Sequence, residues 1–151
     1  MRCTECDSGT MREAEVEISR KVAGHTFTAI VRGQACGACG EPTFASDDVR
    51  RFEAGVARAL AGSPESSGEA FRFMRKVAGL RAIDVAELFA VTPETISRWE
   101  TDKHPIDRGA LVLLGLIVKE KADGTSPTLD ALRARLAARP LAKKVPIKLA
   151  S

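Results

Sequence analysis

Four cysteines stand in two CxxC pairs, Cys3 with Cys6 and Cys36 with Cys39, and the chain has no others. Four thiolates can close one tetrahedral zinc site, which leaves no open position for water or substrate. The alternatives are disulfides in an oxidising compartment and a redox dithiol beside a βαβ pattern, which the sequence lacks. We therefore predict one structural Zn²⁺ per chain and no enzyme activity.

A second set of side chains that could bind a ligand lies in residues 80–105, which read LRAIDVAELFAVTPETISRWETDKHP. Apolar spacing predicts a helix, a tight turn and a second helix that buries Ile96 and Trp99. Thr92 fits the N-cap of the second helix and Pro93 its first position. The opposite stripe is polar and suits a DNA major groove. The predicted DNA-contacting residues are Arg81, Glu94, Thr95, Ser97, Arg98, Asp102 and Lys103.

Arg98 is the strongest base-reading residue, because a guanidinium can bond guanine O6 and N7 together. Thr95 can touch a thymine methyl. Glu94 can accept from cytosine N4, can hold Arg98 one turn away, or can be an ordinary first-turn acid, and we favour the holding role.

The segment resembles the helix-turn-helix of the Cro and lambda-repressor class. Two positions depart from that class. Ala82 stands where a phosphate-binding glutamine is usual, with Arg81 as a substitute. Ala90 stands where a left-handed glycine is usual, at a cost of about 1 kcal/mol.

The two CxxC pairs require elements that bring them together. Residues 16–18 and 27–31 have strand character, with Gly24 and His25 at the expected turn, so a β-hairpin can leave one pair and return to the other. The result would be a zinc ribbon. About the first 40 residues are too few to fold without a metal, so zinc has a folding role there.

The predicted fold class is α+β, with a small β-hairpin zinc ribbon and a helix linked to an all-α, five-helix domain. A helix that follows Ser46 packs on the ribbon or on a partner. The sequence GSPESSG has the composition of a flexible linker, which would let the halves reorient. The predicted domains are zinc-binding residues 1–62, linker 63–68, DNA-binding residues 69–138 and a basic, mostly disordered tail 139–151.

The net charge differs between the two sides of this linker. The formal net charge of the 151 residues is +3. Residues 1–68 carry 8 basic and 10 acidic side chains, whereas residues 69–151 carry 15 basic and 10 acidic ones. Only the carboxy-terminal half therefore suits a polyanion. We expect Arg72, Arg75 and Lys76 of its first helix to lie near a phosphate backbone.

The apolar run at residues 110–118, ALVLLGLIV, is too short to span a membrane, and we expect it to be buried. One side can cover the helix-turn-helix core, and the rest needs the next helix or a second subunit. A homodimer through the carboxy-terminal domain is favoured over a purely intramolecular core. It would require a palindromic operator with half-sites about 34 Å apart.

The order of CxxC pairs, strand-bearing interval and SRWE resembles the MqsA antitoxin family, also described as YgiT-type zinc-finger antitoxins, over about residues 1–120. The resemblance implies zinc at Cys3, Cys6, Cys36 and Cys39, a dimer through the DNA-binding half, and autorepression of a type II toxin-antitoxin operon. It also implies neutralisation of a cognate ribonuclease toxin by the amino-terminal half. A base-reading asparagine of the family falls on Glu94, so we predict a different operator sequence.

These observations are interpreted as a zinc-stabilised, dimeric transcriptional repressor and antitoxin. We expect a cytoplasmic protein without a membrane partner, because no secretory signal or long apolar segment is present. Two alternatives stay open. One is a stand-alone transcriptional regulator, and the other is a protein-interaction adaptor whose helix-turn-helix has lost its affinity for DNA.

Overall fold

A computed structural model describes residues 1–150 and has an α+β architecture. Three antiparallel strands lie in the order β1-β2-β3. The strands are β1 (Met11–Val22), β2 (His25–Cys36) and β3 (Pro42–Thr43). Six helices follow: α1 (Ser46–Ala61), α2 (Gly68–Val77), α3 (Ala82–Leu88), α4 (Pro93–Glu100), α5 (Arg108–Ala122) and α6 (Pro127–Ala137).

The hairpin is longer than the strand signals in the sequence. Its register pairs Met11 with Cys36 at one end and Val22 with His25 at the other. The two-residue turn is Ala23-Gly24, and both residues have positive φ, as a tight type I′ turn requires. The predicted turn at Gly24 and His25 is therefore wrong by one residue, because His25 already pairs in β2.

Alternation along β1 gives the hairpin one buried and one solvated face. Val16 and Ile18 are buried, while Glu13, Glu15 and Glu17 are exposed on the opposite face. The exposed face of β1 is therefore acidic.

The main hydrophobic core lies among the helices. Phe71 of α2 meets Trp99 of α4 edge-on, with ring centroids 5.7 Å apart. Leu114 of α5 is fully buried in the same core. Val22 also belongs to this core, so the tip of the hairpin packs against the helical part of the molecule.

Helix α1 packs against α5 and α2, and its Val56, Ala57 and Leu60 are buried in the main core. Ser67 caps α2 by accepting a hydrogen bond from the Ala70 N–H at 3.2 Å. Gly68 is the first residue of that helix. The predicted domain boundaries stay predictions.

The apolar run of α5 is only partly buried. Leu114, Ile117 and Val118 are buried, but Val112 is 56% exposed and Leu116 is 41% exposed. These two residues are exposed within one chain because α1, α2 and α6 cover the other sides of the helix, and their burial against a second subunit stays a prediction. Within residues 1–150, no helix combines the length and hydropathy needed to cross a bilayer.

Candidate functional site

The four cysteines come together at the open end of the hairpin. Cys36 is the last residue of β2, and Cys39 lies in the turn after it, while Cys3 and Cys6 lie in the segment before β1. That segment folds back on itself through a bridge between Arg2 and Thr10 and a hydrogen bond that the Cys3 N–H donates to the Gly9 carbonyl at 2.9 Å. All four sulfur atoms lie within 4.8 Å of one another.

The spacing of the sulfur atoms fits one tetrahedral ion. The Cys3 and Cys39 sulfurs are 3.7 Å apart, as are those of Cys6 and Cys36. A tetrahedron with Zn–S bonds of about 2.3 Å has edges of about 3.8 Å, so the four residues fit the zinc ion predicted from the two CxxC pairs.

Backbone amides point at Cys36 in the manner of a metal-binding knuckle. The N–H groups of Ala38 and Cys39 donate to its Sγ at 3.4 and 3.5 Å. These hydrogen bonds lower the pKa of the Cys36 thiol, and the bond from the Cys39 N–H has the largest effect. The Ser8 hydroxyl and backbone lower the pKa of Cys6 to about 6. Both groups are therefore prepared to bind as thiolates.

Four thiolates this close together would repel one another in the absence of a cation. A bond from the Glu41 N–H lowers the pKa of Cys39, but the neighbouring sulfur of Cys36 and burial outweigh it and raise that pKa to about 12. A divalent ion at the centre would remove this repulsion. Four sulfur ligands would fill every position of a tetrahedral ion and would leave none for water or substrate.

Gly9 is a supporting residue that the sequence reasoning missed. A Cβ atom built at this position would lie 2.0 Å from the Cys36 sulfur. Only glycine lets the segment before β1 approach the cluster. The sequence feature that could have identified this residue is a glycine three residues after the first CxxC pair.

The segment from α3 to α4 has the geometry predicted for it. Ala90 connects the helices with φ of 54°, in the left-handed region. Thr92 caps α4 by accepting from the Thr95 N–H at 3.2 Å, and Pro93 is the first helical residue. Ile96 is fully buried and Trp99 is 6% exposed, so this side of α4 faces the core.

The opposite side of α4 is exposed. Glu94, Ser97 and Arg98 lie on it, and Lys103 is exposed in the turn that follows. Among residues 1–150, no carboxylate lies within 4.0 Å of the Arg98 guanidinium. Thr95 is half-buried, and its hydroxyl lies 2.9 Å from that of Thr92. Arg98 is thus a cation available to a ligand.

Two other predicted contact residues are engaged within the protein. The Asp102 carboxylate accepts from the Gly68 N–H at 2.8 Å, which ties the end of α4 to the start of α2. Arg81 donates to the Asp84 carboxylate at 2.9 and 3.1 Å. Both residues remain exposed, and their predicted contacts with DNA stay predictions.

A buried ion pair holds α4 on α2. Arg75 donates to Glu100 through Nε at 2.5 Å and through Nη2 at 3.2 Å, and to the Leu80 carbonyl at 2.9 Å. Arg75 is only 8% exposed, so the prediction that it lies near a phosphate backbone is wrong. Glu100 lies on the same helical face as Ile96, and its carboxylate, which faces the core, needs a cation as a partner.

Comparison of the chain with models of known protein families and with curated proteins gives no significant match. The resemblance to zinc-finger antitoxins therefore rests on the motifs and their order.

Proposed function

We propose that this chain is a sequence-specific DNA-binding transcriptional repressor whose α3 and α4 form a Cro/lambda-repressor-like helix-turn-helix within a five-helix domain, α2 to α6. The observation that carries the proposal is the pair of opposite faces on α4. Ile96 and Trp99 anchor one face in the core, and Arg98 stands exposed and without an ion pair on the other. A helix held in this way can enter a major groove and place the Arg98 guanidinium against the base edges.

Base reading on this proposal centres on Arg98, which would bind a guanine through O6 and N7. Glu94 lies one turn before it and is exposed, so it can orient the guanidinium or accept from cytosine N4. Thr95, Ser97 and Lys103 would supply shorter contacts to bases and phosphates. The operator would therefore contain a guanine in each half-site.

A two-fold dimer completes the proposed repressor. Val112 and Leu116 lie one turn apart on α5 and are exposed, which suits a small apolar interface between two copies. Two recognition helices about 34 Å apart would then read a palindromic operator.

The antitoxin role is the finer part of the proposal, and the motif resemblance supports it. On this view the zinc ion holds the amino-terminal hairpin in shape, and that hairpin binds a ribonuclease toxin encoded beside this chain. Co-expression with the product of the neighbouring reading frame, followed by purification of the complex and a ribonuclease assay, tests this role.

The DNA-binding function is tested with the chain's own promoter fragment and a scrambled duplex, using fluorescence anisotropy at several salt concentrations. Arg98→Ala should weaken promoter binding about 10-fold or more, because a bidentate guanine contact supplies roughly 1–3 kcal/mol of discrimination. Binding to the scrambled duplex should fall much less. Arg50→Ala, which removes an exposed cation from α1, is the matched control. Equal losses on both duplexes would reject base reading by Arg98.

A protein-interaction adaptor is the second candidate, favoured by the internal bonds of Arg81 and Asp102. It predicts no salt-dependent retention on any duplex, because no phosphates would be neutralised. The same titration therefore separates the two functions.

A further inference from the structure

The segment that follows α6 exposes a set of apolar side chains. Residues 139–150, called the tail here, form neither a helix nor a strand, and all of them are exposed. Leu141 and Leu149 are 84% and 88% exposed, and Val145 and Ile147 are exposed as well. Large aliphatic groups concentrated in so short a segment indicate a surface that a partner covers.

The tail is also cationic and extended. It contains no acidic residue, and its charged residues are Arg139, Lys143, Lys144 and Lys148. Among residues 1–150, no carboxylate lies within 4.0 Å of these cations. Prolines at positions 140 and 146 disfavour a helix and keep the backbone extended. The tail therefore suits an acidic surface that also offers apolar contacts.

The exposed side of the hairpin has both of these properties. Glu13, Glu15 and Glu17 lie next to one another on the exposed face of β1, and among residues 1–150 no cation lies within 4.0 Å of their carboxylates. Ile30 of β2 pairs with Glu17, so the two side chains share a face. Ile30 is 62% exposed. These four residues define what we call the outer face.

A cleft at the outer face has room for several side chains of an extended segment. Its volume is about 660 Å³, and its lining includes Glu13, Glu15 and the apolar Phe44. Arg32 is the one cation in this lining, and it pairs with Glu15 in the register of the hairpin. The lining thus keeps a net negative charge, which attracts lysine.

A second copy of the chain is the occupant that these observations favour. In the single chain the tail keeps its exposure and does not cover its own outer face. A tail of this length can span about 40 Å when extended, and two copies that exchange tails around a two-fold axis form a closed assembly. DNA phosphates would attract the lysines but would leave the aliphatic side chains in water.

We propose that the tail of one copy binds the outer face of a second copy, with Lys143 and Lys144 beside Glu13 and Glu15 and the aliphatic side chains of the tail against the apolar groups of that face. The inference does not depend on DNA binding by α4 or on the exposed residues of α5. It assigns a role to a segment that the proposed function leaves unused.

Carbodiimide cross-linking of the full chain tests the contact, because this reagent joins a lysine amine to a carboxylate that lies against it. Peptide mass spectrometry of the wild-type chain should find Lys143 or Lys144 joined to Glu13 or Glu15. Two full-length variants are then co-expressed. Lys143→Arg/Lys144→Arg keeps the charge of the tail but removes its reactive amines, and Glu13→Gln/Glu15→Gln removes the carboxylates of the face. Only contact between copies can then give the cross-link.

Charge reversal supplies an independent measurement. Glu13→Lys/Glu15→Lys and Lys143→Glu/Lys144→Glu should each weaken self-association in sedimentation equilibrium by about 10-fold, because attraction between the pairs becomes repulsion. A chain that carries both reversals should recover most of the wild-type association. Zinc content and far-UV circular dichroism serve as folding controls.

The matched control is Arg133→Glu/Arg135→Glu, which makes the same change of charge on the exposed side of α6 and should leave self-association unchanged. A cross-link in the wild type but not in the co-expressed pair would place the tail on its own hairpin and overturn the inference. Absence of the cross-link in both samples, or equal effects of the tail and control variants, would also overturn it. Weaker DNA binding by the tail variant with unchanged self-association would assign the tail to phosphates instead.

Discussion

Arg98 and Glu100 are two residues apart on α4 but have opposite surroundings. Arg98 is exposed and unpaired among residues 1–150, whereas the side chain of Glu100 is 12% exposed and bonded to Arg75. The first residue is suited to a ligand, and the second positions the helix that carries it. Charge alone does not distinguish these roles; burial does.

Glu100→Gln should lower the free energy of unfolding by about 3 kcal/mol, because it leaves the Arg75 guanidinium buried without its counter-charge. Chemical denaturation followed by circular dichroism measures this change. The matched control is Glu87→Gln, an exposed carboxylate on α3, which should change stability by less than about 0.5 kcal/mol. Similar effects for the two variants would show that the buried pair does not hold α4.

At the scale of elements, residues in or next to the first turn determine where α3 and α4 begin. Thr92 and Pro93 start α4 at the predicted residue. The start of α3 depends instead on Asp84, whose carboxylate accepts from the Arg81 backbone N–H at 2.8 Å. Hydrogen bonds from Arg81 hold the pKa of Asp84 below its usual value. The side chain of Arg81 has the larger effect and its backbone N–H the next.

The stabilisation by Asp84 depends on its ionised form. Because its pKa is lower in the folded chain than in the unfolded one, the contribution is present above about pH 4 and is lost as the pH falls through the folded value. Asp84→Asn should therefore melt at a lower temperature than the wild type at pH 7, and the difference should shrink below about pH 4. Thermal melts at several pH values measure it. The control, Glu87→Gln on the same helix, should show no such trend, and a constant difference for Asp84→Asn would exclude the charged cap.

At the scale of the whole molecule, two kinds of stabilisation operate. Helices α1 to α5 share a continuous apolar core, to which the hairpin contributes Val22 at its tip. The opposite end of the hairpin has the cysteine cluster in place of a large core. Small modules of this kind depend on a metal.

Removal of zinc by a chelator should therefore disorder the cysteine end of the hairpin and leave the helical core folded. Far-UV circular dichroism should retain most of its helical signal, while the bound metal, measured as one equivalent per chain, is lost. Cys39→Ser should reproduce the effect without chelator. Unfolding of all helices in one step on chelation would contradict this division of the molecule.

The sequence by itself determined the features that depend on neighbouring residues. The CxxC pairs specified four sulfur ligands, alternation gave β1 its buried Val16 and Ile18, and Thr92-Pro93 fixed the start of α4. Each follows from local backbone geometry and side-chain chemistry, which short patterns encode. Tertiary structure alone decided which cations are buried and which meet across the fold. Arg75 pairs with a residue 25 positions away, and Arg20 stacks on Phe73 of another element. Such neighbours depend on how whole elements pack, and no local pattern specifies that packing.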